Sequence, residues 1–157
     1  MEKVPMTAGG LKTLEDELRQ LKFTERHKII KAIEIAREHG DLSENAEYHS
    51  AREKQSFIEG RILELEGIIS YAEVIDPTTL SGDIVRFGAT VEFTDEDTNE
   101  ESTFQIVGTY EANVERGKLS VTSPTARALI GKSIGDSVEV TTPSGSKSYE
   151  IIKVNYI

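Results

Sequence analysis

No cysteine occurs in the 157 residues, which excludes disulfides and any metal held by thiolates. There is no apolar run of about 18 residues, so no segment reads as a membrane span. The opening stretch MEKVPMTAGG lacks the charged-then-apolar order of an export signal, and the cytoplasm is the expected compartment. A basic excess is missing as well. The formal charge is −10, with 11 Lys and Arg against 15 Asp and Glu in residues 1–75 and 7 against 13 in residues 76–157. Neither half has the electrostatic footprint of a free-standing DNA or RNA binder. If the protein works on nucleic acid, a partner holds the strand. Internal repeats and low-complexity tracts are absent too.

What is present falls into two halves with different periods. The chain is long enough for one ordinary domain or two small ones, and at 37% hydrophobic it can build a modest core. In the first half, Leu11, Leu14, Leu18 and Leu21 alternate steps of three and four, a heptad seam. Thr7 is placed to cap the helix that carries them. After Leu21 the register slips, and the seam resumes at Ile29, Ile33 and Ala36, as a stutter would make it do. Gly40 suits a helix end, and His39 lies in the last turn, where a positive charge suits the dipole. A second seam runs through Ala51, Gln55, Ile58, Ile62, Leu65, Ile69 and Ala72 until Asp76-Pro77. The spacing predicts helices over 11–39 and 44–74, each on the order of 40–45 Å long. So short a link forces antiparallel neighbours. The expected domain, residues 1–76, is an antiparallel coiled-coil hairpin with GDLSENAEY, 40–48, at its tip.

Residues 77–157 change to strand-like patterns. Ile84–Phe87, Thr90–Phe93, Thr103–Val107, Lys118–Val121, Ser137–Thr141 and Tyr149–Val154 are rich in β-branched residues and separated by glycines. They predict a small antiparallel sheet, making the whole chain α+β. SPTARALIGK predicts one short helix, with Ser123 as N-cap, Pro124 at its first position and Gly131 just past its end. Five acids between Asp95 and Glu101 read as a solvated hairpin loop.

The tip carries Asp41, Glu44 and Glu47 within seven residues. Two accounts compete. In the first, the acids serve the second helix: Asp41 and Glu44 approximate a capping box, or Ser43 caps and leaves Glu44 and Glu47 in a first turn that favours negative charge. In the second, Asp41 and Glu44 stand at the far end of a rod as hard oxygen ligands. Two carboxylates make no full cage, but Mg²⁺ is commonly held by one or two carboxylates together with waters and substrate phosphates. A partner with a phosphate substrate could supply the rest, and phosphodiester chemistry with two metals needs the second ion near the attacking water. Arg37 and Arg52 lie about two turns back from the tip. They are either ordinary surface cations pairing with Glu38 or Glu53, or a basic spot steering a phosphate backbone. Asn45 and Tyr48 either orient a substrate or support the turn. His39 and His49 flank the tip without the other ligands that a nitrogen-held metal needs.

GDLSENAEYHSAREKQ, with MTAGGLKTLEDEL before it and SPTARALIGKSIGDSVEV after it, resembles the bacterial transcript cleavage factors of the Gre family, over Met6 to Ile157. The resemblance implies an N-terminal antiparallel coiled coil and a C-terminal FKBP-like domain that docks on RNA polymerase at the mouth of its secondary channel. It implies that the coil enters the channel and that Asp41 and Glu44 help hold the second Mg²⁺ and its water at the polymerase active centre. The polymerase then cleaves backtracked RNA. The chain would be an accessory factor rather than an enzyme, a monomer, with no metal or cofactor of its own. Arg37 and Arg52 would contact the 3′ segment of the nascent RNA, and Ser123, Pro124 and Arg127 would be docking candidates. Two rival functions follow from the same architecture. One is an inhibitor that occupies the channel without promoting cleavage. The other is a prolyl isomerase or chaperone, against which most aromatics (Phe87, Phe93, Phe104, Tyr149 and others) sit at strand positions that core packing explains.

Overall fold

The computed structural model describes residues 2–41 and 44–157. The chain divides into two compact units, one gathering Leu11–Ala72 and the other Lys3–Gly10 with Glu73–Ile157.

The first unit is the helical hairpin. Helix α1 spans Ala8–Gln20, a π-helical turn spans Leu21–Glu25, α2 spans Arg26–Arg37 and α3 spans Ala46–Ser70. The register slip after Leu21 is this π turn. The Arg26 N–H reaches back to the Leu21 carbonyl, inserting one residue and rotating everything after it by about 100° around the axis. Ile29, Ile33 and Ala36 thereby regain the side that faces α3. Ile29, Ile33, Ile58 and Ile62 form a buried cluster, with Leu18, Leu21, Tyr48 and Ala51 packed on it. Each fully buried aliphatic side chain contributes roughly 1.5–3 kcal/mol. Arginine forks lace the flanks: Arg26 Nε and Nη2 donate to Glu59 at 2.9 Å each, and Arg61 Nε and Nη2 donate to Glu17 at 2.7 and 2.9 Å. Bidentate pairs of this kind add geometric specificity to the hydrophobic seam.

The second helix stops earlier than its pattern predicts, at Ser70 rather than 74. Ala72–Val74 is strand β2, paired with β1, Val4–Met6. The Ile75 N–H donates to the Met6 carbonyl at 2.9 Å. The heptad step to Ala72 was coincidental with a short extended segment. Asp76 instead caps a single 3₁₀ turn at Pro77–Thr79, accepting from the Thr78 N–H at 2.9 Å.

The second unit is built on five strands in the order β5-β4-β3-β7-β6. They are β3 Thr90–Asp95, β4 Glu101–Val107, β5 Lys118–Ser120, β6 Ser137–Thr142 and β7 Gly145–Asn155. The sheet is mixed, where an antiparallel one was expected: β4 and β5 run parallel, Gln105 opposite Lys118. The loop from Gly108 to Gly117 carries the chain back to the start of β4. It does so through a 3₁₀ turn at Val114–Arg116 and a left-handed Gly117. Ile84–Phe87 is not a strand. It makes one bridge, Ile84 to Ser133, while the Val85 amide and carbonyl bond to Lys132 and Gly131. The loop after the short helix α4, Pro124–Leu129, thus satisfies the backbone that a ladder would have used. Val85, Val91, Phe93, Ile106, Leu129 and Ile151 fill the core. Phe93 stacks on Phe104 and meets Tyr149 edge-on, so these aromatics are spent on packing. Among the described residues no helix is long and apolar enough to cross a membrane.

Candidate functional site at the hairpin tip

The Asn45 side chain bonds to both α2 and α3 where the two helices meet. Asn45 is the N-cap of α3, with extended backbone, and its Oδ1 accepts from the Tyr48 N–H at 3.0 Å. Its Nδ2 donates to the Ala36 carbonyl at 2.7 Å. An amide carries both donor and acceptor, so Asn45 satisfies an orphan N–H at the start of α3 and a late carbonyl of α2 at once. An ionised Asp could do only the first. Gly40 takes a φ of +103° in the turn, which a side chain would resist. Tyr48 lies one turn into α3, packs on the isoleucine cluster and stands edge-on to His49. The Arg37 guanidinium lies 6.0 Å from the centre of the Tyr48 ring, at the outer range of a cation–π contact.

These contacts decide between parts of the two accounts of the acids. The capping box expected of Asp41 and Glu44 is replaced by Asn45, because α3 starts at Ala46. The alternative cap, Ser43, lies outside the described residues. Asp41 and Glu44 are both exposed. With His39, Asn45, Ala46 and Glu47 they line an open depression of about 370 Å³. Glu47 is in the first turn of α3, and His39 Nε2 lies 3.7 Å from its carboxylate, so this acid has a local partner once the imidazole is protonated. Among the described residues no group of three or more His, Cys, Asp or Glu could hold a metal. Two exposed carboxylates with hard oxygens fit an ion that something else also holds, and do not fit one held by this chain alone.

Arg37 and Arg52 are both exposed, one on the last turn of α2 and the other on the second turn of α3. In the second unit, Ser123 is committed locally: its Oγ accepts from the Ala126 N–H at 3.2 Å and donates to the Ser120 carbonyl at 2.7 Å. Pro124 and Arg127, one turn apart on α4, are exposed. Of the three docking candidates, the structure leaves these two side chains facing solvent.

One pairing went unnoticed in the sequence. His39 and Glu47, both named there at the tip, meet across the turn and line the depression together, which only the antiparallel geometry reveals. The Asn45 bridge to Ala36 was equally hidden, since the cap motif reports its local acceptor role and not its donor role.

Comparison with known proteins gives consistent results. A family model described as "Transcription elongation factor, N-terminal" matches residues 4–74, and one described as "Transcription elongation factor, GreA/GreB, C-term" matches residues 80–156. The chain is 69% identical over 156 residues to the transcription elongation factor GreA of Ruegeria pomeroyi, covering 99% of both chains. It is 66% identical over 157 residues to that of a Jannaschia species, covering all of both. Among solved structures it is similar to GreA factor homolog 1 of Thermus thermophilus, at 28% identity, covering 98% of this chain and 99% of the other, with a TM-score of 0.44.

Proposed function

We infer what the tip does from one premise: this chain belongs to the GreA/GreB family of transcription elongation factors. It is an elongation factor associated with RNA polymerase, an accessory rather than a catalyst in its own right. In the reading proposed here it acts in the cytoplasm as a monomer. Its second unit docks at the polymerase secondary channel, with Pro124 and Arg127 as the exposed candidates for contact, and its hairpin reaches the active centre. There it stimulates cleavage of backtracked nascent RNA.

The observation that carries this reading is the exposure of Asp41 and Glu44 at the tip, beside Asn45, which caps α3 and ties it to α2. Mg²⁺ at the polymerase centre would lower the pKa of an attacking water and neutralise charge on the phosphate. Asp41 and Glu44 would contribute oxygens to the coordination that the polymerase and its RNA leave incomplete. Arg37 and Arg52 would draw the RNA 3′ segment towards the acids as point charges without reading its sequence. The Asn45 bridge holds the turn so that the two carboxylates arrive in one geometry, which matters because positioning is where such a factor's effect originates. In water alone, two exposed carboxylates hold Mg²⁺ poorly, since the ion dehydrates reluctantly. No RNA hydrolysis is expected without polymerase.

The test is a purified backtracked elongation complex with 3′-labelled RNA, given Mg²⁺ and either wild type or the Asp41→Ala/Glu44→Ala variant. Release of short 3′ fragments by the wild type only is expected. A bound factor that releases nothing would make the protein an occupant of the channel instead.

A further inference from the structure

The sheet of the second unit has two edges, and they differ. At one, β5 is three residues long and already bridged: the Asn113 N–H donates to the Lys118 carbonyl at 2.8 Å, and the Lys118 N–H donates to the Asn113 carbonyl at 2.9 Å. At the other, β6 runs for six residues, Ser137–Thr142, with no strand beyond it among the described residues. Alternate residues of an antiparallel pair point their N–H and C=O groups at the partner strand. The Ile151 N–H donates to the Asp136 carbonyl at 2.9 Å, which sets the phase. Val138, Val140 and Thr142 therefore face β7, and Ser137, Glu139 and Thr141 turn their backbone groups outward. Those outward groups have no protein partner among the described residues. A row of unpaired ladder groups is a template for another strand. No proline interrupts the row, since Pro143 comes after it.

The side chains say which strand fits. Val138 is buried in the same core cluster as Ala126 and Leu129 of α4, and Val140 is buried as well. Ser137, Glu139 and Thr141 are exposed and share the other face with their β7 neighbours Glu150, Ser148 and Ser146. Acids occur among these positions and no cation does. The Ser137 hydroxyl donates to a further carboxylate, that of Glu96. A second copy of the chain is a poor occupant. The symmetric antiparallel pairing that uses all three outward residues sets Glu139 opposite its own copy, and like charges directly opposite are destabilising. We propose that the outer edge of β6 takes an added strand from a partner protein, an extended segment that alternates basic and apolar residues. A Lys or Arg of that segment lies opposite Glu139, and its apolar neighbours lie on the side of Val138 and Val140. Backbone hydrogen bonds provide the attachment, and the charge pairing provides the selectivity. The proposal does not rest on the chemistry of the tip.

The cysteine-free chain allows a tethered test. Ser144→Cys, in the turn after β6, carries a capped peptide of alternating lysine and valine through a disulfide and a flexible linker, which holds the peptide at roughly millimolar effective concentration. Amide exchange by NMR on the full chain reads the edge. Exchange at Ser137, Glu139 and Thr141 should slow by about tenfold or more as pairing closes those N–H groups to water. A glutamate–valine peptide on the same tether should leave it nearly unchanged. Glu139→Lys should reverse that preference. A lysine–valine peptide N-methylated along the side that meets β6 should fail, because it cannot donate. Glu139→Pro removes an N–H that bonds nothing in the fold, so the sheet should stand while the slowing at Ser137 and Thr141 is lost. An edge that exchanges as fast with the lysine–valine peptide as without it overturns the proposal. So does equal slowing by both peptides, or slowing that survives N-methylation. Slowing that grows with protein concentration in the peptide-free chain would give the edge to a second copy and overturn it too. If Glu139→Pro does not fold, the N-methylated peptide makes the same comparison against an unaltered edge. Cleavage plays no part in this readout, so a failure of the proposed function would leave it intact.

Discussion

The molecule has two acidic loops of similar composition, DLSENAE at 41–47 and DEDTNEE at 95–101. They are used in opposite ways. In the second, the first acid turns inward: Asp95 is 6% exposed and its Oδ1 accepts from the N–H groups of Asp97 and Thr98 at 2.8 and 3.2 Å. The Asp97 N–H holds its carboxyl below the usual value, against burial, which pushes it up. That carboxylate is the frame of its own turn, and Asn99 takes the left-handed φ of +60°. In the first loop the frame is the neutral Asn45, and Asp41 and Glu44 are left at the surface. An acid that holds a turn is occupied. Where an amide caps the helix, the acids beside it stay at the surface.

Five variants would break or sharpen that contrast. The largest effect is expected from Asp41→Ala/Glu44→Ala, a loss of about a hundredfold or more in stimulated cleavage, the scale of removing a positioned reacting group. Binding to polymerase and the melting temperature should barely move. If the variant unfolds the hairpin, the tip acids were structural after all. Next comes Asp95→Ala, with the reverse signature: a lower melting temperature by calorimetry and unchanged cleavage at a temperature where the variant is folded. Its pH dependence has a definite sign. Since the folded pKa is depressed, the contribution is fully present above the unfolded value near 3.8 and is lost as pH falls through the folded one. Acid titration of Asp95→Ala should lack that part of the wild-type loss.

Asn45→Ala should then cost about 1 kcal/mol for the lost cap, measured by urea unfolding, and more if the Ala36 carbonyl finds no water. Asn45→Asp should keep the cap and lose only the bridge. Cleavage should fall in both, but less than on removing the acids. An Asn45→Ala variant with full stability and full activity would show that the tip needs no such frame. The smallest effect belongs to Glu17→Gln in the shaft. Its partner Arg61 holds the Glu17 carboxyl below its ordinary value, but the pair is partly exposed. A loss within about 1 kcal/mol is expected, confined to pH above the folded pKa and absent once the wild-type acid is protonated.

Particular elements show how far a linear reading reaches. The Leu11 to Leu21 seam, the slip after it and the return at Ile29 are local periodicities. Each reported something real, the slip being a π turn. The Ser123 cap, Pro124 start and left-handed Gly131 of α4 stand as the motif predicts. The acids at the tip were visible by position alone. The strand expected at Ile84–Phe87 failed because its composition is β-like while its backbone partners come from the loop after α4. Ala72 kept the heptad step but belongs to a strand, because pairing with β1 outweighs one more helical turn.

Residue patterns three, four or two apart thus determined the helices, most strands, the turn and the identity of the tip, since those patterns act between neighbours along the chain. The tertiary structure alone decided that β4 and β5 run parallel, that Asn45 reaches back to Ala36, and that Glu111 closes on Thr7 from 104 positions away. Such contacts satisfy polar groups left over at the ends of elements. Nothing in the local sequence says which distant donor or acceptor will be nearby once the hydrophobic faces have packed.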